Sequence, residues 1–188
     1  GCGPEERKLA LNASSTVRVA LGDVLIPAEN LIGERGRGLN IALERLNGGR
    51  IGIAAQSLGI AQAALDESRR YAVEREQFGS PIGRFQSIQW MLVEMATDLE
   101  AARLLTYRAA VAYGRGEAGI QHAAMATLFA SRAAAERAEK AGPIHGGHAY
   151  ETECTGARLS RDARLTDIHA GTPDAPRTVT PRPLAPPR

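Results

Sequence analysis

The fold of this chain is decided by residues 81–113, PIGRFQSIQWMLVEMATDLEAARLLTYRAAVAY. Apolar or small side chains recur there at alternating steps of three and four, so they share one face of a helix. The stripe consists of Phe85, Ile88, Leu92, Met95, Leu99, Ala102, Thr106, Ala109 and Tyr113. This spacing is typical of the seam between antiparallel helices, and it predicts that the stripe lies in the core of a helical bundle.

Similar periodicity predicts helices on both sides of this segment. One begins near residue 39 and continues over 51–74, another covers about 120–145, and a shorter one covers about 152–168. Small residues crowd the 51–74 segment and allow close approach of helix backbones. They are Gly52, Ala54, Ala55, Gly59, Ala61, Ala63 and Ala64. We therefore expect an all-α, up-down four-helix bundle.

Strand-forming residues are confined to the amino end. Ser15–Leu21 and Val24–Ile26 are rich in β-branched residues, and the turn dipeptide Gly22-Asp23 separates them. This pattern predicts a short β hairpin, which needs a larger sheet for stability. The following GERGRG loop, residues 33–38, has the glycine content of a phosphate cradle but lacks the dinucleotide spacing. A plain hinge before a helix is the other interpretation.

The composition indicates the class of protein and its environment. The 188 residues are 44% hydrophobic and 23% charged, which is the ordinary range for a globular domain. A net charge of +2 argues against a nucleic-acid partner. Apolar runs stay shorter than the roughly 18 residues of a membrane helix, so we expect no membrane association. Two cysteines far apart in sequence fit a reducing cytoplasm. The amino end has neither an apolar signal region nor an initiator methionine, so we expect a processed chain or a piece of a longer one.

Five stretches of the sequence carry a resemblance to a known family. They are DVLIPAENLIGERGRGLNIALERLNGGRIGIAAQSLGIAQAALD (23–66), YAVEREQFGSPIGRFQSIQ (71–89), MATDLEAARLL (95–105), IHGG (144–147) and RDARLTDI (161–168). In this order and at these intervals they resemble the carboxy-terminal half of the flavin-dependent acyl-CoA dehydrogenases, over residues 8 to 172. Members of that family have an amino-terminal helical domain, a middle β domain and a carboxy-terminal four-helix bundle, and are commonly homotetramers.

The resemblance implies a domain plan and a set of ligands. Residues 1–32 would be a remnant of the middle β domain, 33–168 the helical bundle, and 169–188 a mobile tail. Six of the ten prolines fall in the last sixteen residues, which removes the amide donors that a helix needs. The implied cofactor is flavin adenine dinucleotide (FAD), and the implied substrate is an acyl-CoA thioester. Implied partners are further acyl-CoA dehydrogenase subunits, in a homo- or hetero-oligomer, and electron-transfer flavoprotein.

The family motifs locate an expected cofactor site. In relatives the arginine and phenylalanine of R-x-x-F-G reach the FAD of a neighbouring subunit, and a paired-glycine stretch lets the cofactor approach the backbone. The matching residues here are Arg75, Gln77, Phe78, Gln86, Gly146, Gly147 and Thr172. Without the resemblance, Arg75–Gly79 would be interpreted as an exposed helix end and Gln86 as a buried amide. Pro143 replaces the glutamine of the glycine stretch, and Ala149 replaces its last glycine.

Two histidines flank the glycine pair, His145 and His148. Their spacing of three residues raises the question of a metal site, but no third ligand stands near them in the sequence. We therefore expect no metal and interpret both as solvent-facing loop histidines.

The residues expected to act on the substrate are only partly kept. The position of the usual catalytic glutamate holds Ala170, and the alternative position on the first long helix holds Gly49. Glu44 is a poor substitute, because a step of five residues rotates it by roughly 140° from position 49. Asn47 and Arg50 match the pair that holds the coenzyme A portion, with asparagine in place of aspartate.

These observations predict an acyl-CoA dehydrogenase-like flavoprotein in a truncated form that lacks its usual base. Alone, the chain would be weakly active or inactive. Two alternatives stay open: a non-catalytic assembly subunit that completes a partner's FAD site, or a degenerate fragment.

Overall fold

A computed structural model describes residues 1–117 and 120–169. Within them the chain forms four long helices: α1 (Gly38–Glu74), α2 (Gln86–Gly114), α3 (Ile120–His145) and α4 (Thr155–His169). Helix α3 packs against each of the other three, and α1 also contacts α2 and α4. The predicted all-α four-helix bundle is thus confirmed. None of the described helices combines the length and apolarity needed to cross a membrane.

Helix α1 is continuous over its whole length because no proline interrupts it. At about 1.5 Å per residue it is roughly 55 Å long. Three of the seven small residues predicted to allow close packing are buried against the other helices, namely Ala54, Ala61 and Ala64. Gly52, Ala55 and Gly59 are exposed, so that prediction is wrong for them. The Thr127 hydroxyl of α3 donates a hydrogen bond of 2.8 Å to the carbonyl of Arg50, which ties α3 to α1.

The apolar stripe of α2 is mostly buried, as its spacing predicted. Its central members are buried: Met95, Leu99, Ala102, Thr106 and Ala109. Its first three members pack half-buried against the same core: Phe85, Ile88 and Leu92. Tyr113 is 45% exposed, so its predicted core position is wrong. Its phenol ring lies beside Gly48 at the edge of the bundle, and Ala112 is buried in its place.

The amino-terminal boundary of α2 also differs from the prediction. The chain first forms a short hairpin, β3 (Glu76–Gln77) paired with β4 (Ser80–Pro81), and then a 3₁₀ turn over Ile82–Arg84. Helix α2 starts only at Gln86. The hairpin forms because Phe78 and Gly79 both take positive φ angles, which suits a two-residue turn between antiparallel strands.

The predicted amino-terminal hairpin pairs different strands. Strand β2 (Val17–Val19) pairs antiparallel with β1 (Cys2–Glu5), and Val24–Ile26 is not a strand. Backbone groups flanking β2 also bond to the amino end, since Ala20 N–H donates to the Gly1 carbonyl at 2.9 Å. The sequence places Pro27 directly after 24–26, where its missing amide would weaken a strand ladder.

The amino-terminal segment is attached to α4. The Leu11 amide donates a 3.0 Å hydrogen bond to Oδ1 of Asp162, a carboxylate that is only 9% exposed. Ala10 is buried beside it. Helix α4 begins at Thr155, three residues later than predicted, because a 3₁₀ turn over Gly146–Tyr150 follows α3.

Candidate functional site

Two segments far apart in sequence meet at one end of the bundle and line an open groove of about 710 Å³. The end of α1 and the hairpin contribute Arg75 and Gln77, and the turn after α3 contributes Gly146 and Gly147. Four of the residues that the sequence assigned to the cofactor therefore lie in one groove. Carboxylates of Glu74 and Glu151 line the same groove, so it carries charges of both signs.

The hairpin places Arg75 at the groove and presents Phe78 to solvent. The Ile82 amide donates a 2.8 Å hydrogen bond to the Arg75 carbonyl and closes the base of the hairpin. Phe78 occupies the turn with a φ of 52°, which is unusual for a bulky side chain. It is 94% exposed, and within the described residues its ring meets Phe85 edge-on at 6.1 Å between centroids. A strained, exposed aromatic side chain at a hairpin tip is typical of a contact with a ligand or partner.

Gly83 allows the hairpin to pack closely against α1. A Cβ atom at Gly83 would lie 3.0 Å from the carbonyl oxygen of Ala72, so a larger residue would push the two segments apart. Ala72 and Ile82 are both buried at this contact. The Gln89 side-chain amide holds the loop from the other side through a 3.0 Å hydrogen bond to the Gly83 carbonyl.

Gln86 and Phe78 do not line the groove in this chain. Gln86 is the first residue of α2 and is exposed, so its interpretation as a buried amide is wrong. Thr172, the remaining residue assigned to the cofactor, lies outside the described residues, as does Ala170.

The turn after α3 exposes its backbone to the groove. Helix α3 continues through Pro143 to His145 and ends where Gly146 takes a φ of 60°, a left-handed conformation that favours glycine. An added Cβ at Gly146 or Gly147 would meet no atom within 4 Å. A ligand can therefore approach the peptide groups of the glycine pair closely.

His145 is buried, contrary to its interpretation as a solvent-facing residue. Its side chain is 3% exposed, and Nδ1 lies 2.7 Å from the Ala141 carbonyl. Because a carbonyl only accepts, Nδ1 is the donor in this hydrogen bond. Nε2 is buried without a hydrogen-bond partner in the described part of the chain. His145 is buried in part by Tyr71 of α1, a helix distant in sequence. The spacing of residues around His145 does not predict such a contact.

His148 is exposed, as predicted, and pairs with a carboxylate. Its Nδ1 lies 2.9 Å from Oε2 of Glu151, and its ring faces Tyr71 in parallel with centroids 6.1 Å apart. Across residues 1–117 and 120–169 no group of three potential metal ligands is assembled.

Sequence reasoning missed Tyr71, whose ring contacts His145 at 4.6 Å between centroids. The available signal was its position one helical turn before Arg75, on the same face of α1. One turn earlier, a hydrogen bond from Arg70 and the charge of that guanidinium lower the pKa of Glu67. Arg70 also bonds Glu74 at 2.7 Å, so charged pairs line this end of α1.

The residues assigned to the substrate lie elsewhere. Arg50 Nη1 is 3.5 Å from the Asn47 side-chain oxygen on the adjacent turn of α1, and Arg50 Nε is buried without a partner among the described residues. Gly49 is exposed, with open space around it, and Glu44, five residues earlier, is also exposed. Along α1, Arg50 and Arg75 are roughly 38 Å apart. Within residues 1–117 and 120–169, Arg50 of the assigned substrate pair and Arg75 of the assigned cofactor residues therefore do not share a cavity.

Comparisons with known proteins place these features in a family. A family model described as "Acyl-CoA dehydrogenase, C-terminal domain" matches residues 36–181. The mitochondrial short-chain specific acyl-CoA dehydrogenase of Rattus norvegicus is 48% identical over 94% of this chain and 43% of that protein. The structure of butyryl-CoA dehydrogenase from Megasphaera elsdenii superposes with a TM-score of 0.95 at 42% identity, covering 98% of this chain and 48% of that one. An acyl-CoA dehydrogenase from Bacillus anthracis, complexed with FAD, superposes with a TM-score of 0.91 at 33% identity, covering 98% of this chain and 35% of that one. The chain thus spans less than half the length of these relatives.

Proposed function

This chain belongs to the acyl-CoA dehydrogenase family, and we propose that it is the carboxy-terminal helical part of a flavoprotein that oxidises acyl-CoA thioesters. The observation that carries this proposal is the shared groove of Arg75, Gln77, Gly146 and Gly147. In this proposal residues 1–32 belong to a middle β domain, residues 33–168 form the helical domain, and residues 169–188 follow it as a tail.

The groove fits the diphosphate part of FAD, the ligand of the Bacillus anthracis relative. The Arg75 guanidinium is exposed and can donate two parallel hydrogen bonds to phosphate oxygens. Gly146 and Gly147 leave room for the cofactor against the backbone. The bound flavin would supply the hydride acceptor of the reaction. Glu74 and Glu151 oppose an anion, so Arg75 must offset them.

The arrangement also supports a site shared between two subunits. Phe78, which follows the groove residue Gln77, and Gln86, the first residue of α2, are exposed and do not line the groove. This suits contact with a flavin held mainly by a neighbouring chain. Asn47 and Arg50, the proposed coenzyme A contacts, lie roughly 38 Å away along α1. A subunit would then use its own Arg50 for substrate and offer Arg75 to its neighbour. Electron-transfer flavoprotein is the proposed acceptor of the electrons.

Catalysis is the step for which this chain is least equipped. Removing the α-proton of a thioester requires a base, and the two positions used in the family hold Ala170 and Gly49. We expect the chain alone to show no measurable acyl-CoA oxidation.

The experiment on catalysis adds a relative's remaining domains to this chain and measures electron-acceptor reduction with acyl-CoA substrates of several lengths. Because a general base contributes about 10² to 10⁴ in rate, Ala170→Glu is expected to raise turnover at least about tenfold. Gly49→Glu, on the open face of α1, tests the alternative position. Robust turnover without either substitution, and unchanged by both, would show that another residue is the base.

A second candidate function is an assembly subunit that completes a partner's FAD site without catalysis. The exposed, strained Phe78 and the missing glutamate favour it. The colour of the purified protein separates the two functions. A flavin absorption band in the isolated chain supports the enzyme domain, whereas a band that appears only after mixing with a full-length relative supports the assembly subunit.

A further inference from the structure

Tyr71 connects the two halves of the groove. It lies on the last turns of α1, and its carbonyl accepts the Arg75 amide at 2.8 Å, the bond that ends the helix. Its ring packs on His145 at 4.6 Å, with the ring planes tilted by 34°. It also lies parallel to the His148 ring, with centroids 6.1 Å apart and planes 8° apart. One side chain of α1 therefore contacts the residues on both sides of the glycine pair.

The turn that holds the glycine pair packs against α3 and α4, but the two glycines add no side-chain contacts of their own. Gly146 and Gly147 have no side chains, and their surroundings are open. His145, which precedes them, is held from within α3 by its bond to Ala141 and across the bundle by the Tyr71 ring. His148, which follows them, is bonded to Glu151 within the same turn. Its ring contact with Tyr71 is thus a link from this part of the turn to α1.

We propose that Tyr71 is a positioning residue, whose ring, in contact with both His145 and His148, sets the glycine turn opposite Arg75 so that both can contact one dinucleotide. This inference rests on the proposed function for the identity of the ligand. The placement of the turn by Tyr71 is a property of the ligand-free chain, so it can be measured separately. The ring makes both contacts, so Tyr71→Phe should preserve them and Tyr71→Leu should not.

The test uses the 188-residue chain in two measurements. The first is amide hydrogen exchange of residues 144–150 without ligand, and the second is calorimetric titration with FAD. An aromatic pair contributes enough that its loss should change an equilibrium about tenfold. Tyr71→Leu is expected to speed exchange and weaken FAD binding by about that factor. Tyr71→Phe, and the control Tyr107→Leu at an exposed site on α2, are expected to stay within about twofold.

The outcomes separate this inference from the proposed function. Unchanged exchange in Tyr71→Leu would overturn the inference, whatever FAD does. Faster exchange in Tyr71→Leu with no FAD binding by the isolated wild-type chain would support the placement of the turn by Tyr71, and would favour the assembly subunit, whose FAD site needs a partner, over the enzyme domain. Faster exchange in Tyr71→Leu with unchanged FAD affinity would overturn the role of Tyr71 in ligand binding. If Tyr71→Leu does not melt cooperatively, the exposed His148→Ala replaces it: faster exchange supports the inference, and unchanged exchange overturns it.

Discussion

Replacing Gly49 with alanine should stabilise the protein. Gly49 lies inside α1, is exposed, and has no atom within 4 Å of the position that a Cβ would occupy. Alanine in a helix interior is favoured over glycine by about 0.8–1.0 kcal/mol, because it restricts the unfolded backbone. With no contact to oppose this gain, the melting temperature should rise by about 2–4 °C for a chain of this size.

The neighbouring glycine provides a matched control. A Cβ at Gly48 would lie 3.0 Å from the Tyr113 hydroxyl oxygen and 3.3 Å from the ring carbon that bears it. Tyr113 must move to admit the new methyl group, so the same propensity gain is offset and Gly48→Ala should be close to neutral. Adding Tyr113→Phe removes the closest contact and should recover part of the gain.

Thermal and urea unfolding, followed by circular dichroism at 222 nm, measure these differences. A melting temperature that is unchanged or lower in Gly49→Ala would refute the reasoning, because it would mean that position 49 is not an open site inside a continuous helix. That result would also remove the basis for Gly49→Glu, since a glutamate would need the same space.

Three further predictions concern the core, the charged pairs and the assembly. Met95→Ala should lower the free energy of unfolding by about 2–5 kcal/mol, because Met95 is fully buried. Leu92→Ala should lower it by less, because Leu92 is half-buried. If urea denaturation gives the opposite order, the register of α2 is contradicted. The pKa of Glu67 is lowered in the folded chain, so the ionised carboxylate stabilises the fold above its ordinary pKa of 4.5. This stability is lost as the pH falls through the lowered pKa. Glu67→Gln should reduce the change in unfolding free energy with pH by less than about 1 kcal/mol, because Arg70 is largely exposed. Light scattering at micromolar concentration should show a dimer or a larger assembly, and a compact monomer would contradict the shared-site proposal.

Local periodicity predicted the helices well, for a physical reason. A helix face repeats every 3.6 residues, so the spacing of the apolar side chains from Met95 to Ala109 was enough to predict that they are buried. The pattern failed at Tyr113, where burial depends on the space left by Gly48 on another helix.

Pairings between distant segments were harder to predict. Strand β2 pairs with residues 2–5 rather than 24–26 because the choice depends on which backbone groups come within reach in three dimensions. The contact between Tyr71 and His145 was missed for the same reason, because it joins α1 to the end of α3. Motif resemblance named Arg75 and the glycine pair, but only the fold brings them to one groove.

Binding of FAD to this chain, alone and mixed with the flavin-free butyryl-CoA dehydrogenase of Megasphaera elsdenii, tests the central claim most directly. We expect saturable FAD binding that requires this chain in at least one of these two samples. Arg75→Ala should weaken it about tenfold or more, since hydrogen bonds to charged groups are among the strongest in proteins. Arg69→Ala, an exposed arginine on α1 outside the groove, should change it by less than about twofold. Absence of binding in both samples, or binding that does not depend on Arg75, would contradict the claim that the groove is a flavin site.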